Sequence, residues 1–306
     1  MPRFSIVMPC FNSSATLAET LESLFAQTCQ DWELICVDDG STDGTQKLLT
    51  RYADEDPRVR WIANCGKGPS SARNYGALTL AKGEIIAFCD SDDLWRPNKL
   101  AELDRGFDAD DADVLYGQIG FFDDRPEMLS TTSTVPGGDV TIQMLLGENP
   151  VCTLSNTSIR RRSLLVYGGF DPSVVHNEDL EWLVRLVGQG ALVRGIDSLH
   201  VLYRASPTGL SSDLEAMAAG RQRAIATAAS FGIRAPKGAE ATYQRYLARR
   251  ALRMGQSRRV AAQYALRGLA TSPKGFMSPP RRGALTLAAV LSNFLLPRAV
   301  SRALFS

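Results

Sequence analysis

A short apolar run followed by a dense group of carboxylates constrains this chain more than any other feature. Residues Ile85 to Cys89 are all apolar, which suits a strand buried on both faces. Asp90, Asp92 and Asp93 follow directly. Carboxylates this close repel one another unless a cation lies among them, and hard oxygen ligands suit Mg²⁺ or Mn²⁺. In an open α/β sheet, ligands bind beyond the carboxyl ends of the strands, so a metal site is predicted here. The alternative is a solvated acidic turn before the helix that begins near Pro97.

The pattern around this segment predicts a doubly wound, mainly parallel α/β sheet. Four strands, at 4–8, 32–37, 58–63 and 85–89, alternate with three helices, at 15–27, 45–53 and 66–81. The alternation then loosens, and the predicted elements are a helix at 99–107, a strand at 114–120, a loop at 123–138, a short helix at 141–146, a strand at 152–160, a helix at 178–189 and a strand at 193–203. From Asp213 onward the chain is predicted to be entirely helical.

The distribution of charge divides the chain in two. Residues 1–213 carry 18 Lys+Arg against 31 Asp+Glu, a balance of −13, whereas residues 214–306 carry 16 against 2, a balance of +14. Such an asymmetry predicts different partners for the two regions, with nucleic acid or anionic lipid as candidates for the basic one. Nucleic acid is not expected, because no recognised binding module is present. The alternative is that the basic tail complements the acidic body.

Cysteine and hydropathy patterns favour a cytoplasmic protein. The cysteines form no CxxC pair and are interpreted as buried free thiols of a reducing compartment: Cys10, Cys29, Cys36, Cys65, Cys89 and Cys152. With two histidines and no Cys/His cluster, a zinc site is not expected. The chain begins at once with a strand, so no signal peptide is expected. No apolar run reaches the roughly 18 residues of an ordinary membrane span.

Seven short motifs follow one another along residues 5–183. They are SIVMPCFN at 5–12, SLFAQT at 23–28, VDDGSTDGT at 37–45, SARNYG at 71–76, DSDD at 90–93, GGFD at 168–171 and NEDLEWL at 177–183. In this order and spacing they resemble a family 2 glycosyltransferase with the GT-A fold. The resemblance covers roughly residues 4–212 and implies a nucleotide-sugar donor.

The resemblance implies that Asp38 and Asp39 face the base and ribose of the nucleotide. Asp39 is the expected partner of a uracil N–H, since a carboxylate only accepts hydrogen bonds. The alternative is a turn in which both aspartates bond only the backbone of residues 40–42. Pro9 and Phe11 are expected to pack against the base, although Phe11 suits the core equally well.

Arg73 and the Asp90-Ser91-Asp92 triplet are the expected contacts for the diphosphate. Arg73, at the start of a helix, is expected to reach the base or the diphosphate. The triplet resembles the family's metal motif, with Ser91 among the nucleotide-binding residues. Asp92 is the expected ligand of Mg²⁺ or Mn²⁺, and Asp90 contacts the ribose or a metal-bound water. The metal would neutralise charge on the departing diphosphate.

Enzymes of this family invert the anomeric centre, so one carboxylate must deprotonate the acceptor. The motif match assigns that role to Asp179 in preference to Glu178. The opposite interpretation is ordinary helix N-terminal chemistry, because the helix dipole favours acidic residues there.

One position departs from the family pattern. Relatives often carry a histidine two residues after the pair Tyr203-Arg204 that helps to hold metal or diphosphate, whereas this chain has Ser206. His200 is interpreted as structural. Further expected contacts are phosphate for Arg204, Ser211 and Ser212, and the acceptor for His176.

The basic tail predicts a helical hairpin around Gly255, followed by an apolar segment flanked by arginines at 281–306. That segment is too short to span a bilayer and suits the membrane interface, where anionic lipid attracts arginine. The alternative is a helix docked on the body of the protein.

The resemblance implies an inverting, metal-dependent transfer of a hexosyl or N-acetylhexosaminyl group from a UDP-linked sugar to a cell-surface glycan or glycolipid. Residues 1–110 would form the nucleotide-sugar half, 111–212 the acceptor half and 213–306 a helical tail at the inner face of the cell membrane. Two alternatives stay open: a catalytically weak sugar-nucleotide-binding scaffold, and a nucleotidyltransferase.

Overall fold

A computed structural model describes residues 1–123, 125–205 and 213–295. The chain divides into two compact units, the first formed by Met1–Val140 with Pro150–Ala205. The second contains Thr141–Asn149 and the described residues from Asp213 onward. The segment at 141–149 therefore belongs to the helical unit and not to the predicted acceptor half. A contact with a distant part of the chain attaches the segment to this unit, because the Arg221 guanidinium donates to the Leu146 carbonyl at 2.7 Å.

The first unit is built on one mixed sheet. Among the described residues its strands are β1 (Phe4–Cys10), β2 (Trp32–Asp38), β3 (Val59–Ala63), β4 (Ile85–Phe88), β5 (Leu94–Trp95), β6 (Val114–Phe122), β7 (Thr131–Thr132), β8 (Ser158–Arg160) and β9 (Val193–Arg204). The order is β3-β2-β1-β4-β8-β6-β9-β5, with β7 on β6. β3, β2, β1 and β4 run parallel, as predicted, and β8 is antiparallel to both its neighbours.

Helices connect these strands. They are α1 (Leu17–Phe25), α2 (Thr45–Glu55), α3 (Pro69–Asn74), which continues as a π-helix (Tyr75–Leu80), α4 (Lys99–Ala109), α5 (Ile142–Gly147), α6 (Arg161–Tyr167) and α7 (Glu178–Gly188). The apolar side of α1 packs on the sheet, where Leu17, Leu21 and Leu24 are fully buried. Since β1 and β2 pair in parallel with Cys10 opposite Asp38, the loops that follow them emerge at one edge of the sheet.

The predicted strand at 152–160 is wrong over most of its length. Only Ser158–Arg160 is strand, and a 3₁₀ turn at Leu154–Asn156 precedes it. The buried Asn156 amide stabilises this turn by donating to the Gly117 and Val151 carbonyls. The helix α6 and the two-residue strands β5 and β7 were not predicted.

The cysteine interpretation holds only in part. Within the described residues all six cysteines are free, and Cys10, Cys36 and Cys89 are buried, but Cys65 and Cys152 are exposed.

The second unit is helical over its described residues from Leu214 onward. Besides α5, which belongs to this unit, its helices are α8 (Leu214–Ser230), α9 (Lys237–Arg253), α10 (Arg258–Thr271), α11 (Pro273–Phe276) and α12 (Pro280–Leu295). The predicted hairpin is confirmed, with Gly255 at φ +61° between α9 and α10. In the described ranges, no helix is both long and apolar enough to cross a membrane.

Candidate functional site

The loop after β4 is held at three points. The Asp90 N–H donates to the Ser155 hydroxyl at 2.8 Å. The Ser91 hydroxyl lies 2.6 Å from that of Ser13, in the loop after β1. The Asp92 carbonyl accepts a hydrogen bond from the Arg204 guanidinium at 3.0 Å. The acidic triplet is therefore a fixed element of the sheet edge and not a solvated turn.

Beneath the triplet lie Lys99 and Asp93, two ionisable side chains whose burial the sequence did not reveal. Lys99 is fully buried, its ammonium donating to the Ser155 carbonyl at 2.5 Å and lying 3.6 Å from the Trp95 ring centroid. Asp93 is also buried and accepts from the Arg204 N–H at 3.1 Å. Burial lowers the pKa of Lys99 to about 7 and raises that of Asp93 well above its usual range. Asp93 therefore supports the loop from inside, which excludes a solvated capping role.

Arg73 connects the acidic loop to the start of α7. Its side chain is buried, and its guanidinium lies 2.5 Å from an Asp90 carboxylate oxygen and 3.1 Å from one of Glu178. Asp179 is the next residue along α7. α7 therefore begins beside Asp90, and the charges of Arg73 and Asp90 both act on Asp179, which lies 89 residues beyond Asp90 in the sequence.

Burial disfavours the anionic form of two carboxylates in this region, those of Asp92 and Asp179. Burial, reinforced by the charge of Glu178, raises the pKa of Asp179 to about 7, against a smaller opposing effect of Arg73. Burial and the neighbouring charge of Asp90 likewise raise the pKa of Asp92 to about 6. The position of Asp179 at a helix start would lower its pKa, so burial outweighs the helix dipole here.

The two aspartates after β2 make hydrogen bonds to protein groups. Asp38 is buried, and its carboxylate accepts from the Ser41 N–H at 3.2 Å and from the Gln46 amide at 2.8 Å. The carboxylate of Asp39 accepts from the Asn64 amide at 2.7 Å and from the Gly68 N–H at 2.9 Å. Asp38 thus joins the turn after β2 to α2, which the turn interpretation did not include, whereas Asp39 joins the loops after β2 and β3.

The two candidates for stacking on a base differ in exposure. Pro9 is half-buried within β1, and Phe11 is 56% exposed just beyond it. The ammonium group of Lys67 lies 5.1 Å from the Phe11 ring centroid. Phe11 is therefore not a core residue, and its ring is available at the same edge as Asp39.

The other site residues predicted from the sequence differ in their contacts and burial. The Arg204 guanidinium is 2.5 Å from Glu19 in addition to its bond to Asp92, so it holds structure together. His200 is fully buried with its Nε2 3.0 Å from a Glu102 oxygen, and burial lowers its pKa to about 4. His200 is therefore a neutral, structural histidine. His176 is half-buried just before α7. Ser206, Ser211 and Ser212 lie outside the described residues.

The family model for glycosyl transferase family 2 matches residues 5–168, more than half of the chain. The chain belongs to this family.

Curated relatives of this family 2 member differ in length. The glucosyltransferase WfgD of Escherichia coli, named for transfer from UDP-Glc to α-D-GlcNAc-diphosphoundecaprenol, is 32% identical over 215 residues, covering 68% of this chain and 79% of WfgD. An uncharacterised glycosyltransferase of Nostoc sp. is 30% identical over 133 residues. The chain spans 41% of that relative's length. TuaG of Bacillus subtilis, a putative teichuronic acid glycosyltransferase, is 39% identical over 100 residues, covering 32% of this chain and 39% of TuaG.

Solved structures confirm the GT-A fold. S. aureus TarS in complex with UDP-GlcNAc superposes with a TM-score of 0.59 at 18% identity, covering 95% of this chain and 91% of the other. The mannosyltransferase PcManGT of Pyrobaculum calidifontis, in complex with GDP-Man and Mn²⁺, gives a TM-score of 0.61 at 18% identity, covering 99% and 83%. At this identity the likeness establishes the fold alone.

The acidic loop suits a divalent cation that protein side chains only partly enclose. Among the described residues, no group of three His, Cys, Asp or Glu side chains is arranged to hold a metal. Asp92, whose pKa is raised by burial and by Asp90, would be stabilised as an anion by a cation beside it. Two carboxylates are sufficient for a cation that takes its other ligands from phosphate and water. The residues present therefore fit Mg²⁺ or Mn²⁺ bound together with a diphosphate.

Proposed function

We propose that this family 2 member is an inverting glycosyltransferase that moves a sugar from a UDP-linked donor to a glycan or glycolipid acceptor. The observation that carries the proposal is the Arg73 bridge, with 2.5 Å to Asp90 and 3.1 Å to Glu178. It supports a single cleft edge shared by the acidic loop and Asp179. A diphosphate next to this edge and an acceptor next to Asp179 would then be neighbours.

The donor half of the proposed site lies in residues 1–110. Asp39 accepts a hydrogen bond from the base, Phe11 and Pro9 pack against its ring, and Asp38 shapes the loop beside the ribose. UDP is the proposed nucleotide, because WfgD is named for UDP-Glc and TarS was solved with UDP-GlcNAc. Ser91 lines the nucleotide pocket.

The departing diphosphate lies against the acidic loop in this proposal. Asp92 and Asp90 would hold Mg²⁺ or Mn²⁺, which when bound neutralises the charge that develops on the diphosphate. Arg73 keeps the Asp90 carboxylate in place by its ion pair at 2.5 Å. Lys99 and Asp93 position the loop from beneath, because Lys99 and the Asp90 N–H both bond Ser155.

Asp179 is the proposed base. Its carboxylate takes the proton of the acceptor hydroxyl as that oxygen attacks the anomeric carbon from the side opposite the diphosphate. A pKa of about 7 suits this role, since the group is then half deprotonated near neutral pH and still basic enough to accept a proton.

The acceptor is proposed to be a lipid-linked glycan of the cell envelope, as the name of WfgD describes for that relative. Residues 111–140 and 150–205 would form the acceptor half. The helical tail from 213 onward, through 281–306, would hold the enzyme at the inner face of the membrane as a peripheral protein.

Product analysis tests the proposal against its alternatives. Purified protein is incubated with a panel of UDP- and GDP-linked sugars, Mn²⁺ and a polyprenyl-diphosphate sugar acceptor. Release of UDP with glycosylation of the acceptor is expected. Release of pyrophosphate would favour a nucleotidyltransferase, and donor binding without any turnover would favour a scaffold.

A further inference from the structure

The last described helix, α12, exposes an apolar stripe. Leu285, Leu291 and Phe294 are 59%, 65% and 48% exposed, and Ala284 and Ala288 are exposed beside them. Leu285, Ala288, Leu291 and Phe294 follow one another at intervals of three residues, so successive side chains are about 60° apart and together cover the exposed half of the helix. Single exposed leucines are ordinary, but a continuous face of this kind indicates an interaction site.

The buried face of α12 is the less apolar one. Thr286 and Asn293 are 3% and 8% exposed, and Val290 is buried beside them. At Gly283 the helix closely approaches the end of α11, since a Cβ there would lie 2.6 Å from the Cα of Met277, the residue that follows α11, and 2.9 Å from the Phe276 carbonyl oxygen. This close approach sets the rotation of α12 about its axis, so the apolar stripe cannot turn inward without separating the helices.

Arginines lie at both ends of the stripe. Arg281 is exposed at its start, and the Arg258 guanidinium donates to the Phe294 carbonyl at 3.2 Å at its end. By sequence the helical unit (residues 141–149 and 206–306) carries 16 Lys+Arg against 4 Asp+Glu, a balance of +12. Two of these carboxylates already pair with arginines, Glu148 with Arg245 and Glu240 with Arg221. An apolar face within so positive a unit is complementary to an anionic, apolar partner.

We propose that this stripe lies in the interface of an anionic phospholipid bilayer. With 16 residues and a length of about 24 Å, α12 would lie flat, its leucines and phenylalanine among the acyl chains and its arginines at the phosphates. The inference deepens the proposed function, on which it rests for its purpose, because it names the surface that brings the enzyme to a lipid-linked acceptor.

Vesicle co-sedimentation of the full chain tests this directly. Vesicles of phosphatidylcholine with about 30% phosphatidylglycerol are compared with phosphatidylcholine alone, at NaCl of about 0.1 M and about 0.5 M. We expect binding to the anionic vesicles that weakens with salt, and at least a tenfold loss in the double variant Leu285→Glu/Leu291→Glu. The matched control is Leu165→Glu, a leucine 52% exposed on α6 of the other unit, which should bind as the native protein does.

Three outcomes of the co-sedimentation would overturn the inference. They are equal binding of the native protein to neutral and anionic vesicles, no binding of the native protein to either, and unchanged binding by the double variant. A dimer by light scattering that only the double variant loses, without vesicle binding, would mean that a second copy covers the stripe. A lower Tm of the double variant with unchanged vesicle binding would mean that the chain covers it. UDP release with a soluble acceptor is measured in parallel, and because vesicle binding requires no turnover, failure of either proposal is seen separately.

Discussion

Two pairs of aspartates at the same sheet edge have opposite relations to their surroundings. The Asp38 and Asp39 carboxylates accept hydrogen bonds of 2.7–3.2 Å from amide and backbone N–H groups. By contrast, burial and nearby carboxylates raise the pKa of Asp92 to about 6 and that of Asp179 to about 7. The fold binds the first pair through hydrogen-bond donors, whereas burial and neighbouring carboxylates disfavour the anionic form of the second pair.

The difference favours separate roles for the two pairs of aspartates. Groups that recognise a nucleotide benefit from a preformed geometry, which a network of N–H donors provides. Groups that must receive a proton or a cation bind it more strongly when their anionic form is destabilised. Holding such anions costs folding free energy, and perturbed groups of this kind are typical of active sites. Four predictions follow from this comparison.

The largest expected effect is at Asp179. Asp179→Asn keeps the shape but cannot accept a proton, so turnover should fall by about 10² or more while donor affinity is retained. Steady-state UDP release and calorimetric titration with the donor measure the two quantities. Asp54→Asn, an exposed site on α2, is the control and should behave as the native enzyme. Native turnover in Asp179→Asn would remove Asp179 from the mechanism.

Asp39 should show the reverse pattern. Asp39→Asn replaces the charged acceptor proposed for the base N–H by a neutral amide, so the donor Kd should rise about fivefold while turnover at saturation changes little, because a hydrogen bond to a charged group contributes about 1 kcal/mol more than one to a neutral group. Titration with UDP alone checks this. A fall in saturated turnover with unchanged affinity would break the contrast between the two pairs.

The pH dependence should report the raised pKa of Asp179. The base acts only when deprotonated, so kcat/KM should fall as pH drops through about 7, roughly fourfold from pH 8 to pH 6.5. The measurement is UDP release at subsaturating donor. A profile that is flat over this range would mean that Asp179 titrates elsewhere or is not the base.

The smallest effects are on stability and differ in sign. At pH 8, Asp179→Asn should raise the free energy of unfolding by about 1 kcal/mol, because it removes a buried charge beside Glu178. Asp38→Asn should lower it by about 1 kcal/mol, because the Ser41 N–H and the Gln46 amide lose a carboxylate acceptor.

The sign for Asp179 follows from linkage. Its pKa in the folded protein is above the ordinary value of 3.8 for an aspartate, so the native state holds the proton more tightly than the unfolded chain does. The contribution of Asp179 to the free energy of unfolding is present at low pH and is lost as the pH rises through about 7. The gain from Asp179→Asn should therefore grow between pH 5 and pH 8. Urea unfolding at both pH values measures it, and a gain that shrinks with rising pH would contradict the explanation.

Many of the secondary-structure elements were predictable from local patterns in the sequence. The strands β1 to β4, the loops that leave them and the hairpin around Gly255 were predicted, because alternating apolar periods and turn residues act over a few positions. The candidate site residues came from motifs in the same way, and their proximity in space was an expectation of the family resemblance. The irregular region at 152–160 was misread, because a side chain, that of Asn156, bonds the backbone there.

The sequence by itself determined the parallel half of the sheet, the acidic loop after β4 and the basic charge of the helical tail. Only the tertiary structure decided that Arg73 joins Asp90 to Glu178, that Lys99 is buried beneath the loop and that α12 turns its apolar face outward. Each of these depends on contacts between segments distant in the chain or on the close approach at Gly283. Periodicity records which side of a helix is apolar, whereas packing decides which side has a neighbour.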